Sequence, residues 1–170
     1  MRRIGLAAIA LAGIAGSAAA QNYPEKTVTL IAPFTAGGSV DLVARALAQQ
    51  MGEQWKQPVI VSNRPGASGN IGAEAAVRAA PDGCTQMIGT TALSSSPALF
   101  PKLPFDPMRD LAPVRLLVTM PNLLVVHPSL PVRSIGELLA LAKAQPGVLN
   151  SGSAGVGSSN HLALVMFKVE

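Results

Sequence analysis

Cysteine occurs once in the 170 residues, at Cys84, so no internal disulfide can form and a small cystine-stapled scaffold is excluded. Cys84 lies in an apolar, strand-like run, where the expected role is that of a small buried residue. Aromatic residues make up 4% of the chain, too few for base stacking, and no Lys/Arg cluster supplies an electropositive face. No nucleic-acid partner is expected. Histidine is confined to His127 and His161, far apart in sequence, so no Cys/His set offers metal-ligand spacing, and no metal or cofactor is expected. Gly152, Gly155 and Gly157 do not form Gly-x-Gly-x-x-Gly and no Gly-Lys-Ser/Thr follows, which argues against nucleotide binding.

What is present begins with a leader. Arg2 and Arg3 precede an apolar run from Ile4 to Ile14 that ends in Ala18-Ala19-Ala20, the pattern of a secretory signal peptide spanning 1–20 and cleaved after Ala20. The run is too short to cross a bilayer comfortably. Its removal takes the Lys-plus-Arg count from 13 to 11 against 9 acidic residues, and the formal charge from +4 to +2. Much of the apparent basicity therefore belongs to the leader.

The stretch around which the chain is organised is Pro33-Phe34-Thr35-Ala36-Gly37-Gly38-Ser39-Val40-Asp41. It joins an apolar run, Thr27 to Phe34, suited to a parallel strand covered on both faces, to an amphipathic stripe of Val40, Val43, Ala44, Leu47 and Met51. Gly37 and Gly38 allow a sharp turn and close approach of a ligand to backbone amides, and the helix start presents free N–H groups to an anion. Asp41 in the first helical turn suits the dipole, and Arg45 four residues on is placed to pair with it.

Pro58 to Ser62 reads as a second strand, followed by the glycine-rich turn Asn63 to Gly72 and a helix that stops at Pro81-Asp82-Gly83. A third strand, Cys84 to Gly89, ends in the polar tip Thr90-Thr91. Three β units with helical crossovers imply a parallel α/β lobe with all three tips on one ligand-binding edge. Leu93 to Pro113, rich in proline, reads as an irregular crossing segment between lobes. Val114 to Met120 and Leu123 to Val126 are strand-like, Ser134 to Glu137 matches a capping box opening a helix through Ala144, and Val148 to Asn150 reads as a short strand. That strand enters a second glycine-serine loop, Ser151 to His161, with a helix starting at Ser158 or Ser159. The helix is still running at Phe167-Lys168-Val169-Glu170. An exported α/β hydrolase using Ser153, Ser158 or Ser159 with His161 is one alternative, although no Gly-x-Ser-x-Gly elbow is present. A structural or protein-interaction role is another.

The ordered set Tyr23-Pro24, Pro33 to Gly38 with Asp41 and Ala44-Arg45, Asn63-Arg64-Pro65-Gly66-Ala67, Pro81-Asp82-Gly83, Leu103-Pro104-Phe105-Asp106-Pro107 and Ser153 to His161-Leu162 resembles the substrate-binding proteins of tripartite tricarboxylate transporters, the Bug family. The resemblance runs from Tyr23 to Phe167. It implies an α/β, periplasmic-binding-protein-like, two-lobed (type II-like) receptor that closes on a small carboxylate and delivers it to membrane transport subunits, with no chemistry of its own. The ligand could be a mono-, di- or tricarboxylate, an amino acid or an aromatic acid. Carried over by position, one side of the clamp is Phe34, Thr35, Ala36, Gly37 and Gly38. The other is Ser153, Gly155, Gly157, Ser158 and Ser159, with Ala67, Ser68, Thr90, Thr91 and His161 lining the remainder. Asp41 is expected to fix the turn, because like charges repel. Cys84 replaces a common Tyr, and Val165 stands where an acidic residue is expected. Family members being about twice as long, the expectation is a C-terminally truncated receptor with a first lobe over 21–113, incomplete, and a hinge strand with the start of a second lobe over 114–170; the alternative within the family is a non-functional fragment that binds poorly on its own.

Overall fold

The computed structural model describes residues 23–169. The leader and its cleavage point lie outside them. Three strands, β1 (Val28–Ala32), β2 (Val59–Asn63) and β3 (Thr85–Met87), form a parallel sheet in the order β2-β1-β3. Val28 pairs with Val59 and Ala32 with Asn63 on one side, and Thr29 pairs with Thr85 and Ile31 with Met87 on the other. The continuous apolar run of β1 is explained by this central place, for Val28, Leu30, Ile31 and Ala32 are all buried.

Alternation along β1 divides the core. Leu30 and Ala32 share a cluster with Ile88 and with Ala44 and Ala48 of α1 (Ser39–Trp55), where two small side chains let the helix lie close to the sheet. On the opposite parity, Pro33 is packed against Gly72 of α2 (Asn70–Val77). Right-handed crossovers to opposite sides of β1 place α1 and α2 on opposite faces. Trp55 ends α1 edge-on to Tyr23, with ring centroids 5.5 Å apart. The Tyr23 hydroxyl donates to the Gly83 carbonyl at 2.7 Å, tying the entry of β1 to that of β3.

Three expectations are corrected. Thr91–Leu99 is a helix, α3, where an irregular segment was expected; Pro97 sits in its last turn, and Ala92 and Ser96 on its inner face are buried. Residues 114–126 form no strand, because an extended run becomes a strand only beside a partner and none lies alongside it among the described residues. Val148 to Asn150 likewise leaves the turn at Gly147 without a ladder. Beyond them, α4 (Ile135–Ala144) starts where the capping box places it, with Ser134 Oγ accepting from the Glu137 amide at 3.2 Å. The Glu137 carboxylate reaches one residue further back than the standard box and accepts from the Arg133 amide at 2.6 Å. The last helix, α5, spans Ser159–Val169.

Candidate functional site

The order β2-β1-β3 makes the carboxyl ends of β1 and β3 the point where the chain leaves the sheet in opposite directions, the place where parallel sheets open a crevice. At the tip of β1, Thr35, Ala36, Gly37 and Gly38 are exposed and Phe34 is half-buried. Gly37 has φ +82°, which a side chain would strain. Asp41, 2% exposed, fixes this turn from inside α1. Its Oδ2 accepts from the Gly37 amide and from Arg45 Nε, both at 2.9 Å, and its Oδ1 accepts from Asn63 Nδ2 at 2.9 Å. Arg45, then the Gly37 amide and the Asn63 amide, hold the Asp41 carboxyl at about 2, so it is ionised and its charge is directed into the turn and not outward.

At the tip of β2, Gly66, Ala67, Ser68 and Gly69 all have positive φ, including two residues that carry a Cβ, so this turn is strained. A Cβ on Gly69 would stand 3.3 Å from Pro33 Cβ and 3.6 Å from the Phe34 ring, which shows how closely the second turn sits on the first. At the tip of β3, Thr90 precedes α3 in extended conformation and its hydroxyl makes no capping bond.

The second loop reaches this edge. Ser68 Oγ donates to the Val156 carbonyl, and Ser95 Oγ of α3 approaches the Gly157 carbonyl at 3.1 Å. Gly157 is buried with φ +83°, and a Cβ there would lie 2.8 Å from Leu99 Cδ1. Ser158 caps α5: its Oγ accepts from the His161 amide at 3.2 Å and donates to the Gly155 carbonyl at 2.7 Å. His161 Nδ1 accepts from the Gly157 amide at 3.3 Å, and Ser153 Oγ from the Gly155 amide at 3.4 Å. Ser159 Oγ donates to Asn122 Oδ1 at 3.1 Å. The hydroxyl of Ser158 and the ring nitrogen of His161 are thus spent on the loop's own backbone and form no nucleophile-base pair. No hydrogen bond among the described residues joins this loop to Thr35–Gly38, and no group of three or more metal-ligating side chains occurs among them. A cleft of about 610 Å³ between Tyr23, Glu25, Trp55 and Gln57 lies at the opposite, amino-terminal end of β1, away from the three strand tips.

Comparison with known proteins decides the family. Residues 43–170 match the model described as "Tripartite tricarboxylate transporter family receptor". The chain belongs to this receptor family. It is similar to an R. palustris protein solved with adipate (38% identity, TM-score 0.82, 86% of this chain and 49% of that one). MatC from Rhodopseudomonas palustris with bound malate gives 35% identity and TM-score 0.78, covering 87% of this chain and 52% of that one. The periplasmic binding protein BugD gives 29% identity and TM-score 0.71, covering 85% and 48%. This chain spans about half the length of the curated relatives it matches. The TctC family is one of substrate-binding receptors, not of enzymes.

Within this receptor-family frame, sequence reasoning missed four residues. Asn63 bonds Asp41 and the Phe34 carbonyl (3.2 Å), and its place at the end of the neighbouring parallel strand was the available sign. Ser95 was hidden in a segment expected to be irregular. Asn70 and Ser96, both buried, face each other at 2.7 Å between α2 and α3. Ser96 Oγ also lies 2.8 Å from the Ala92 carbonyl, and one hydroxyl proton cannot serve both acceptors. The balanced arrangement has Ser96 donating to Ala92 and the Asn70 amide turned to donate to Ser96.

Proposed function

We propose that this chain supplies a carboxylate-capturing part of an exported receptor, held in the periplasm after cleavage near Ala20, which passes its ligand to the membrane subunits of a tripartite tricarboxylate transporter. The first lobe over 21–113 presents Phe34 to Gly38, Ala67, Ser68 and the Thr90-Thr91 tip. The second, beginning at 114, presents Ser153 to His161. The observation that carries this reading is the seating of the second glycine-serine loop on the carboxyl edge of the sheet through Ser68 and Ser95. The amides of Gly38 and Ser159 begin helices there, and the positive ends of those helices favour a carboxylate. Asp41 does not oppose the ligand, since Arg45 and two amides compensate its charge. Closure would remove water from those hydrogen bonds, and the ligand's higher affinity for the closed state would drive it. The adipate and malate held by solved relatives make dicarboxylates the first ligands to test.

Calorimetric titration of the 170-residue chain with adipate and malate tests the proposal. Binding of either, abolished by Gly38→Val with little change in the melting temperature of the free protein, is the expected result. A Cβ at position 38 meets only the Thr35 carbonyl, at an ordinary 3.5 Å, so the variant is expected to fold. Unaltered affinity in Gly38→Val would refute the assignment of the β1 tip.

A further inference from the structure

Three consecutive carbonyl oxygens of the second loop each face a serine hydroxyl: Gly155 that of Ser158, Val156 that of Ser68, and Gly157 that of Ser95. Only the first of these serines belongs to the loop. Ser68 comes from the strained turn after β2 and Ser95 from α3, so two elements of the first lobe hold adjacent peptide groups of the second loop. Close packing supports the same geometry, since a Cβ on Gly157 would stand 3.1 Å from Ser95 Oγ and one on Gly155 3.7 Å from Ser68 Oγ.

Carbonyl oxygens repel a carboxylate and amide hydrogens attract it. A flexible glycine loop presents either, because each peptide plane can turn over. Hydroxyl protons placed on carbonyls 156 and 157 fix those planes, whose own amides, Gly157 and Ser158, bond His161 Nδ1 and the Gly155 carbonyl, so the chain is held where it enters α5. The amides of Ser159 and Asn160, which begin α5, have no acceptor among the described residues. We infer that Ser68 and Ser95 are positioning residues that hold the Gly155–Gly157 loop by its carbonyls, so that its following amides face a carboxylate ligand. This rests on the carboxylate reading above and changes the part of Ser68 from ligand contact to loop holder. Ser95 Oγ also lies 3.0 Å from the Ala92 carbonyl, but Ser96 already donates to that carbonyl, which leaves the single Ser95 proton for the Gly157 carbonyl.

The test compares the full chain with Ser68→Ala/Ser95→Ala in amide hydrogen exchange and in titration with adipate and malate. Ser94→Ala serves as control, for its hydroxyl bonds only the Thr91 carbonyl of its own helix. Expected is about tenfold faster exchange at Gly157 and Ser158 with β1 unaltered, and about tenfold weaker acid binding, together with recovery of both in Ser68→Ala/Ser95→Thr relative to the double alanine variant. Ser94→Ala should move neither. Unchanged loop exchange in the double variant overturns the inference, as does faster exchange spread equally over β1 to β3, or a freed loop that binds acid as tightly as before. If neither acid binds the unaltered chain, the dicarboxylate reading falls, and the exchange measurement alone decides whether these two hydroxyls hold the loop.

Discussion

Asp41 contributes stability in a pH-dependent way whose sign follows from its partners. Its folded value of about 2 lies below the ordinary 3.8, so the unfolded chain binds the proton more readily. Its stabilising effect is complete above about pH 4 and is lost as pH falls through 2. Urea unfolding from pH 7 to 2 is expected to show a falling midpoint in that window. Asp41→Asn should be less stable at neutral pH and should flatten the acid limb; a limb as steep as the parent's would place the titrating group elsewhere. Gly72 answers to sterics instead. A Cβ there would stand 2.8 Å from Pro33 Cβ and 3.1 Å from its Cα, backbone that cannot swing away. Gly72→Ala is expected to cost about 1–3 kcal/mol despite the gain in helix propensity, read as a lower urea midpoint at unchanged slope.

At the level of elements, legibility followed how local the cause was. The capping box at Ser134 needs only residues three positions apart, and α4 begins where those residues say. Ser134→Ala is expected to remove the bond to the Glu137 amide and cost about 1 kcal/mol, with helical circular dichroism reporting the loss. β1 and α1 were equally plain, since apolar continuity and a 3.6-residue stripe are properties of the run itself. α3 was not legible because three serines and Pro97 weaken helix propensity, and what holds it is tertiary: Ala92 and Ser96 buried against α2, with the Ser94 and Ser96 hydroxyls turned back onto its own carbonyls. The site divides in the same way. The β1 turn and the glycine-serine loop announce themselves by composition, whereas Asn63 and Ser95 act through contacts 22 and 62 residues away in sequence. Such contacts depend on strand order and helix placement, which no local pattern states.

For the whole molecule, the run from 114 to 126 is expected to govern self-association. Val114 is 91% and Leu123 84% exposed, and Leu116, Met120, Leu124 and Val125 are exposed beside them. Two apolar, β-prone windows flank Pro121-Asn122, with Arg115 the one charge between Val114 and Val126. Segments of this kind, extended and with backbone groups unpaired, recruit other chains by edge pairing, and a single charge does little to prevent it. Asn122, in the middle of the run, accepts from Ser159 Oγ at 3.1 Å. Concentration-dependent association is therefore expected in light scattering. Leu123→Lys/Val125→Lys should suppress it while moving the folding free energy by no more than about 0.5 kcal/mol, because the replaced side chains are exposed. If the charged variant associates as readily as its parent, the self-association surface lies elsewhere. If it unfolds, these side chains are packed more deeply than their exposure indicates.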